Sequence, residues 1–224
     1  MTSSLKENIE YIRKEIVRIC EKYGRNPKDV TLIGVTKTKS AETINEAVDL
    51  GLMDIGENYV QELREKYSSI NPVNIHFIGH LQSNKARYVV PVSCLIHSTD
   101  SISLIKEINR SAEKNGKIQD ILIEINISGE TAKNGIRPEC LSEFTAEASE
   151  FENVRIQGLM GMAPITEKTE ETRVYFAKMK QLFDTLPDCM RKHLSMGMSG
   201  DFREAIAEGA TIVRIGTSIF GRRN

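Results

Sequence analysis

Residues 30–57 read VTLIGVTKTKSAETINEAVDLGLMDIGE, and this stretch decides the fold class. Val30 to Thr36 is rich in β-branched residues and predicts a strand, and a helix is predicted from about Ser40 to Leu50. Gly51 is placed to terminate that helix, and Met53 to Glu57 predicts the next strand. A strand, a helix and another strand in this order favour a parallel sheet with crossover connections, and hence an α/β protein.

The same alternation continues to the end of the chain. Six more strands are predicted at Asn74 to Gly79, Cys94 to Ser98, Ile121 to Ile127, Ile156 to Met162, Leu194 to Met198 and Thr211 to Ile215. Helices are predicted near Tyr59 to Ser68, Ser83 to Val89, Ser101 to Asn115, Pro138 to Ser149, Lys168 to Leu186 and Asp201 to Glu208. Eight such strands form either an open doubly wound sheet or a closed barrel, and periodicity does not separate the two. No GxGxxG motif follows the first strand, which weakens a classical dinucleotide-binding interpretation.

A long amphipathic helix is predicted before the first strand. Its apolar residues recur at alternating intervals of four and three and form one stripe, made of Leu5, Ile9, Ile12, Ile16, Ile19 and Tyr23. Ser4 and Glu7 have the spacing of a capping box, and Gly24 is placed to end the helix.

Composition limits the classes of protein that this chain fits. Its 224 residues, 40% of them hydrophobic, suit one domain over residues 1–224. The net charge of −1 gives no overall field that would gather nucleic acid or an anionic membrane surface. The N-terminus lacks a signal peptide's apolar core and no run is long enough to span a membrane, so we expect a cytoplasmic protein. Four scattered cysteines show neither CxxC nor zinc-type spacing, so no metal site is expected.

Lys37 is a candidate nucleophile at the end of the first predicted strand. Ideal alternation places it on the same side as Ile33 and Val35, close to the apolar interior. Burial lowers the pKa of an amine there and makes it more reactive toward an aldehyde. The alternative is a surface lysine that happens to follow a strand.

The last two predicted strands lead into segments suited to phosphate. Ser199-Gly200, Arg214 and Gly216-Thr217-Ser218 lie at or just beyond their ends, where barrels frequently bind phosphate. Glycine lets backbone N–H groups approach the anion, hydroxyls add donors, and a helix beginning near Gly200 would point its positive end there. Ordinary turn and capping chemistry is the alternative.

Further candidate ligand contacts lie at other strand ends. Met160-Gly161-Met162 and Ser195-Met196-Gly197-Met198 are paired segments in which glycine makes room for a flat ligand, or in which methionine simply packs the core. His80 can stack on or hydrogen-bond to a ligand, or serve as a structural or capping residue. Asn58 can contact a phenolic oxygen, or serve as the N-cap of the next helix.

Seven motifs together resemble the pyridoxal phosphate homeostasis protein family, also called the proline synthase co-transcribed homologue family. They are VTKTKS, DIGENYVQE, HFIGHLQSNKAR, IHSTDS, GLMGMAP, LSMGMSGDFREAI and VRIGTSIFG, in the family's order over roughly residues 30–221. The resemblance implies a single (β/α)8 TIM barrel of fold-type III, like the N-terminal domain of bacterial alanine racemase. The barrel would occupy about residues 30–221, with the extra N-terminal helix in residues 1–24.

The resemblance also implies the cofactor and its ligands. Pyridoxal 5'-phosphate would be held as a Schiff base on Lys37, with its phosphate at Ser199, Gly216 and Thr217 and its pyridine nitrogen facing Arg214. The whole candidate set is Lys37, Asn58, His80, Met196, Ser199, Arg214, Gly216 and Thr217.

The function implied is intracellular homeostasis and supply of pyridoxal phosphate. An arginine opposite the ring nitrogen disfavours pyridinium formation and weakens the cofactor as an electron sink, so a non-catalytic protein is expected. We also expect no counterpart of the C-terminal domain that supplies a catalytic tyrosine in alanine racemases. We expect a monomer whose partners are pyridoxal phosphate and apo-enzymes that receive it. The alternatives are a pyridoxal-phosphate-dependent racemase or lyase, a cofactor-free class I aldolase, and an interaction module that docks through the N-terminal helix or the region of Lys85 and Arg87.

Overall fold

The computed structural model describes residues 4–131 and 133–221 and shows a closed barrel of eight parallel strands. The strands are β1 Thr31–Val35, β2 Asp54–Glu57, β3 Asn74–Phe77, β4 Leu95–Thr99, β5 Gln119–Ile125, β6 Val154–Gly161, β7 His193–Ser195 and β8 Ile212–Ile215. Each pairs with the next, and β8 closes on β1. The closed barrel confirms the (β/α)8 prediction over the open sheet.

Helices surround the barrel in chain order. They are α1 Leu5–Lys22, α2 Ala41–Asp49, α3 Val60–Lys66, α4 Ala86–Val89, α5 Ile102–Lys114, α6 Leu141–Ala148, α7 Arg173–Asp184, α8 Phe202–Ala207 and α9 Thr217–Phe220. Short 3-10 turns occupy the first residues of three predicted helices, at Ser83–Lys85, Pro138–Cys140 and Thr169–Thr172. The one-turn helix α9 was not predicted, because four residues are too few to show a period.

Helix α1 begins as its sequence predicts. The Ser4 Oγ accepts a hydrogen bond from the Glu7 N–H at 3.2 Å, and the Glu7 carboxylate accepts one from the Ser4 N–H at 2.8 Å. Together these bonds make the capping box. The buried isoleucines of α1 pack on the barrel side, and the Asn8 amide donates to the Ile219 carbonyl at 2.9 Å. Helix α1 therefore packs against the segments that close the barrel, α8 and α9.

Alternation along the strands divides the core into two parts. A small inner cluster fills the barrel with Ile33, Leu95, Leu122, Met160 and Ile212. A larger cluster lies between the strands and the helices. The barrel interior also holds buried polar side chains, which are the subject of the sections below.

Within residues 4–131 and 133–221, no helix is both long and apolar enough to cross a membrane. The four cysteines are free thiols. No group of three or more potential metal ligands occurs among the same residues.

Candidate functional site

Lys37 lies in a tight turn just beyond the end of β1. The turn is closed by a hydrogen bond from the Lys39 N–H to the Thr36 carbonyl at 3.0 Å. Thr38, between them, has φ +64°, a left-handed conformation that strains a β-branched residue by about 1–3 kcal/mol. Its N–H donates to the Glu62 carboxylate at 2.7 Å, which helps to hold the strained turn.

A buried polar cluster lies beneath this turn. The Glu57 carboxylate is inaccessible to solvent, accepts a hydrogen bond from the Thr36 hydroxyl and lies 2.7 Å from the Lys66 ammonium. Lys66 also donates to the Thr36 carbonyl at 3.0 Å. Burial raises the pKa of Glu57, against the opposing effect of its bonds to Lys66 and Thr36. Because Lys66 also donates to the Lys39 carbonyl at 3.4 Å, the cluster anchors both sides of the turn that carries Lys37.

A cavity of about 320 Å³ opens at the carboxyl end of the barrel. Its walls are Val35, Lys37, Thr38 and Lys39 from the turn after β1, and Gly216, Thr217, Phe220 and Gly221 from the segment after β8. The candidate nucleophile and two candidate phosphate ligands therefore line one cavity. Barrel closure through the pairing of β1 with β8 brings them together.

Ser199 is hydrogen-bonded to the segment that follows β8. Its Oγ accepts hydrogen bonds from the N–H groups of Gly216 and Ser218, each at 3.3 Å. Two backbone donors thus converge on one oxygen, as they would on an anion. Helix α8 begins at Phe202, one residue after the start of the helix predicted over Asp201 to Glu208, while α9 begins directly after Gly216.

Arg214 is buried inside the barrel, two residues along β8 from Ile212 of the inner cluster. Its Nη1 donates to the Ser195 carbonyl at 2.8 Å and to the Ser195 Oγ at 2.6 Å, and its Nη2 donates to the Gly161 carbonyl at 3.2 Å. These bonds use three of the five N–H groups of the guanidinium. Burial lowers the pKa of Arg214 to about 10, so it remains a cation at neutral pH.

Asn58 and His80 lie at the ends of β2 and β3. The Asn58 side-chain oxygen is buried and has no hydrogen-bond partner within the described residues. The N-cap of α3 is Tyr59, so Asn58 does not cap that helix. His80 is about half exposed, and its Nδ1 lies 3.8 Å from the Asp100 carboxylate. The structure thus places an unsatisfied polar atom at Asn58 and a surface imidazole at His80.

The two methionine–glycine segments pack against the core and the surrounding helices. Met196 is fully buried in the outer cluster, whereas Ser195 beside it points into the barrel. A side chain at Gly161 would meet the Met179 sulfur at 2.8 Å, and one at Gly197 would meet the Ala205 Cβ at 2.5 Å. These glycines therefore make room for helices α7 and α8, and the interpretation that they also make room for a flat ligand stays a prediction.

Several polar residues inside the barrel were missed by the sequence interpretation. Glu124 is buried on β5, where burial and the nearby Asp100 raise its pKa to about 7. His76 and His97 are buried on β3 and β4. The available signal was a polar residue inside an otherwise apolar strand, as in ILIEI and NIHF. Such a residue must find a partner in the interior.

Comparisons with known proteins place the chain in a family. A family model described as the N-terminal domain of alanine racemase matches residues 3–224. The pyridoxal phosphate homeostasis protein of Aquifex aeolicus is 44% identical over 222 residues, which cover 97% of each chain. The chain belongs to the pyridoxal phosphate homeostasis protein family.

Solved structures of similar proteins show the same architecture. A protein of unknown function from Bifidobacterium adolescentis superposes with a TM-score of 0.89 at 33% identity, covering 96% of this chain and 94% of that one. PipY of Synechococcus elongatus, solved with pyridoxal phosphate bound, gives a TM-score of 0.78 at 33% identity. That alignment covers 92% of this chain and all of PipY.

Proposed function

We propose that this protein binds pyridoxal 5'-phosphate in the cavity at the carboxyl end of its barrel and takes part in the cell's homeostasis of that cofactor. The observation that carries this proposal is the shared cavity of Lys37, Gly216 and Thr217, with Arg214 buried inside the same barrel. Membership of the homeostasis family and the bound cofactor in PipY support it.

The residues present fit this cofactor. Lys37 would hold its aldehyde carbon as a Schiff base. The N–H groups of Gly216 and Ser218, which donate to the Ser199 Oγ in this structure, would turn to its phosphate, and the Ser199 hydroxyl would donate to the same anion. The unsatisfied polar atom of Asn58 offers a further contact at the same end of the barrel. His80 and Thr217 would contribute from the exposed rim. Met196 would contribute through its backbone, because its side chain packs outside the barrel.

We propose further that the protein is a carrier and not an enzyme. When bound, pyridoxal phosphate can act as an electron sink for amino-acid chemistry, and a protonated ring nitrogen strengthens that capacity. Arg214 stays cationic and has two N–H groups left after its protein contacts, so it can donate to the ring nitrogen and oppose its protonation. A carrier of this kind would act as a cytoplasmic monomer and release its cargo to apo-enzymes.

The first test is an absorption spectrum of the purified protein with pyridoxal phosphate, before and after borohydride reduction. We expect a visible band that reduction removes, with pyridoxyl trapped on Lys37 in peptide mass analysis. Lys37→Ala should lose the band, and Lys28→Ala, at an exposed site on the opposite end of the barrel, should keep it. Trapping at another lysine would overturn the site.

The carrier function needs a separate test. The loaded protein is mixed with an apo-enzyme that needs pyridoxal phosphate, and the recovery of that enzyme's activity is followed. Racemization or elimination of free amino acids is measured in parallel with the loaded protein alone. Amino-acid turnover at ordinary enzyme rates, lost in Lys37→Ala, would contradict the carrier proposal and favour a racemase or lyase.

A further inference from the structure

Four hydrogen bonds join Arg214 to Asp54 across the barrel interior. Arg214 Nη1 lies 2.6 Å from the Ser195 Oγ, and that oxygen lies 2.9 Å from His97 Nδ1. His97 Nε2 lies 3.0 Å from His76 Nδ1, and His76 Nε2 lies 3.0 Å from the Asp54 carboxylate. We call these five residues the interior chain.

The interior chain connects the two ends of the barrel. Asp54 is the first residue of β2 and its side chain is 24% exposed, so it meets solvent at the amino end. His97 and Ser195 are inaccessible to solvent, and Arg214 lies toward the carboxyl end, where we propose that the cofactor binds. Burying so many polar groups is costly unless each finds a partner, and here each does.

The chemistry of the donors allows two directions of hydrogen bonding. With a neutral His76, its Nε2–H donates to Asp54 and its bare Nδ1 accepts from His97 Nε2–H. The bare Nδ1 of His97 then accepts from the Ser195 hydroxyl, which in turn accepts from Arg214. Every bond then points from Arg214 toward Asp54.

One added proton on His76 reverses two of these bonds. His76 then donates from both ring nitrogens, to Asp54 and to His97 Nε2. His97 stays neutral but must carry its hydrogen on Nδ1, so it donates to Ser195 Oγ. Ser195 changes from a donor toward His97 to an acceptor from both His97 and Arg214.

The groups that face His76 favour the protonated form at neutral pH. Burial alone would lower the pKa of His76, but the hydrogen bond to the Asp54 carboxylate and the nearby Cys94 outweigh burial and raise it to about 9. Burial, together with the charges of His76 and Arg214, holds the pKa of His97 well below its ordinary value. His193 itself has its pKa lowered to about 4 by burial and therefore stays neutral at neutral pH.

We propose that His76 and His97 are positioning residues for Arg214, and that a single proton on His76 sets the tautomer of His97 and the hydrogen-bonding state of Ser195. The Ser195 hydroxyl, which is the nearest acceptor of Arg214, thereby has two alternative hydrogen-bonding arrangements. That Arg214 positions the ring of a bound cofactor rests on the proposed function, whereas the tautomer change of His97 does not.

The tautomer change is tested on the cofactor-free protein. Nitrogen NMR of the imidazoles distinguishes protonated from bare ring nitrogens, and His80→Gln, His193→Gln and His76→Gln variants together assign the four histidines. At neutral pH we expect a doubly protonated His76 and a His97 that carries hydrogen on Nδ1. Raising the pH through the titration of His76 should move the hydrogen of His97 to Nε2. A His97 tautomer that does not change during this titration would overturn the proposal, whether or not pyridoxal phosphate binds.

Asp54→Asn tests whether the Asp54 carboxylate holds the titration midpoint of His76 up. Loss of the carboxylate should lower the midpoint of the His76 titration by roughly 1–3 pH units. Asp120→Asn is the control, because Asp120 is paired with Arg155 and contacts neither histidine of the interior chain. The control should leave the His76 midpoint within a few tenths of a unit.

The effect on the cofactor is read from the loaded protein. The absorption band should change with the same midpoint as the His97 tautomer, and Asp54→Asn should shift both midpoints together. A band that stays constant while His97 changes its tautomer would contradict the positioning role. A protein that binds no pyridoxal phosphate would contradict the proposed function instead.

Discussion

The Lys66 ammonium lies 2.7 Å from the Glu57 carboxylate, which is completely buried beneath the turn that carries Lys37. Lys66 also donates to the carbonyls of Thr36 and Lys39, at 3.0 and 3.4 Å. One side chain therefore compensates a buried charge and holds both ends of the strained turn. The position of the candidate nucleophile depends on this ion pair.

We predict that Lys66→Met destabilises the fold by about 3–5 kcal/mol, because removing one partner leaves the Glu57 charge buried and uncompensated. Urea denaturation would measure the loss. Adding Glu57→Gln should recover most of it, since a neutral amide replaces the orphaned carboxylate. Lys180→Met is the surface control, because Lys180 pairs with Asp184 in a largely exposed geometry and should change little. A double variant no more stable than Lys66→Met would contradict this explanation.

Gly197 is predicted to be essential for packing of helix α8. It has φ +93°, and a Cβ there would lie 2.5 Å from the Ala205 Cβ. Gly197→Ala therefore combines backbone strain with a clash, and we expect a loss of at least about 2 kcal/mol in the free energy of unfolding. Gly200→Ala is the matched control, since a Cβ at Gly200 meets no atom within 4 Å. Equal stability of the two variants would refute the packing role.

The elements and several strand-end residues could be predicted because their signals are local. Alternation in residues 30–37 places Ile33 and Lys37 on one side, and the glycines after β8 mark a turn. The partners Lys66 and Glu57 could not be predicted, because their contact depends on how α3 packs behind β2. The contact between His97 and Ser195 is set by closure of the barrel, which no local pattern specifies. Which neighbours Gly161 and Gly197 accommodate could not be predicted, because a glycine shows only that space is needed, not which neighbour needs it.

Glu124 should make stability depend on pH. Burial and Asp100 raise the pKa of Glu124 from 4.5 to about 7, while Arg214 opposes the shift. Between these values the folded state binds more protons than the unfolded state, so the contribution is complete below about pH 4.5 and is lost as the pH rises through about 7.

Glu124→Gln should therefore be more stable than the wild type above pH 7, by up to about 3 kcal/mol at 1.36 kcal/mol per pKa unit. At pH 4 the two proteins should differ little, because the wild-type carboxyl is then neutral in both states. Urea denaturation at pH 4, 6 and 8 provides the comparison. A difference that grows toward low pH would show that the sign of the shift is wrong.

Ser199 should contribute to the recognition of phosphate and not of the pyridine ring. Its Oγ lies at the focus of the Gly216 and Ser218 N–H groups, which places the hydroxyl beside the proposed phosphate. Ser199→Ala should weaken binding of pyridoxal phosphate by roughly tenfold, which corresponds to one lost hydrogen bond to a charged group of about 1.5 kcal/mol. Binding of pyridoxal, which lacks the phosphate, should change less than twofold. Ser142→Ala, at an exposed position of α6, is the control and should leave both affinities unaltered. Equal weakening for the two ligands would instead place Ser199 at the ring or assign it a purely structural role.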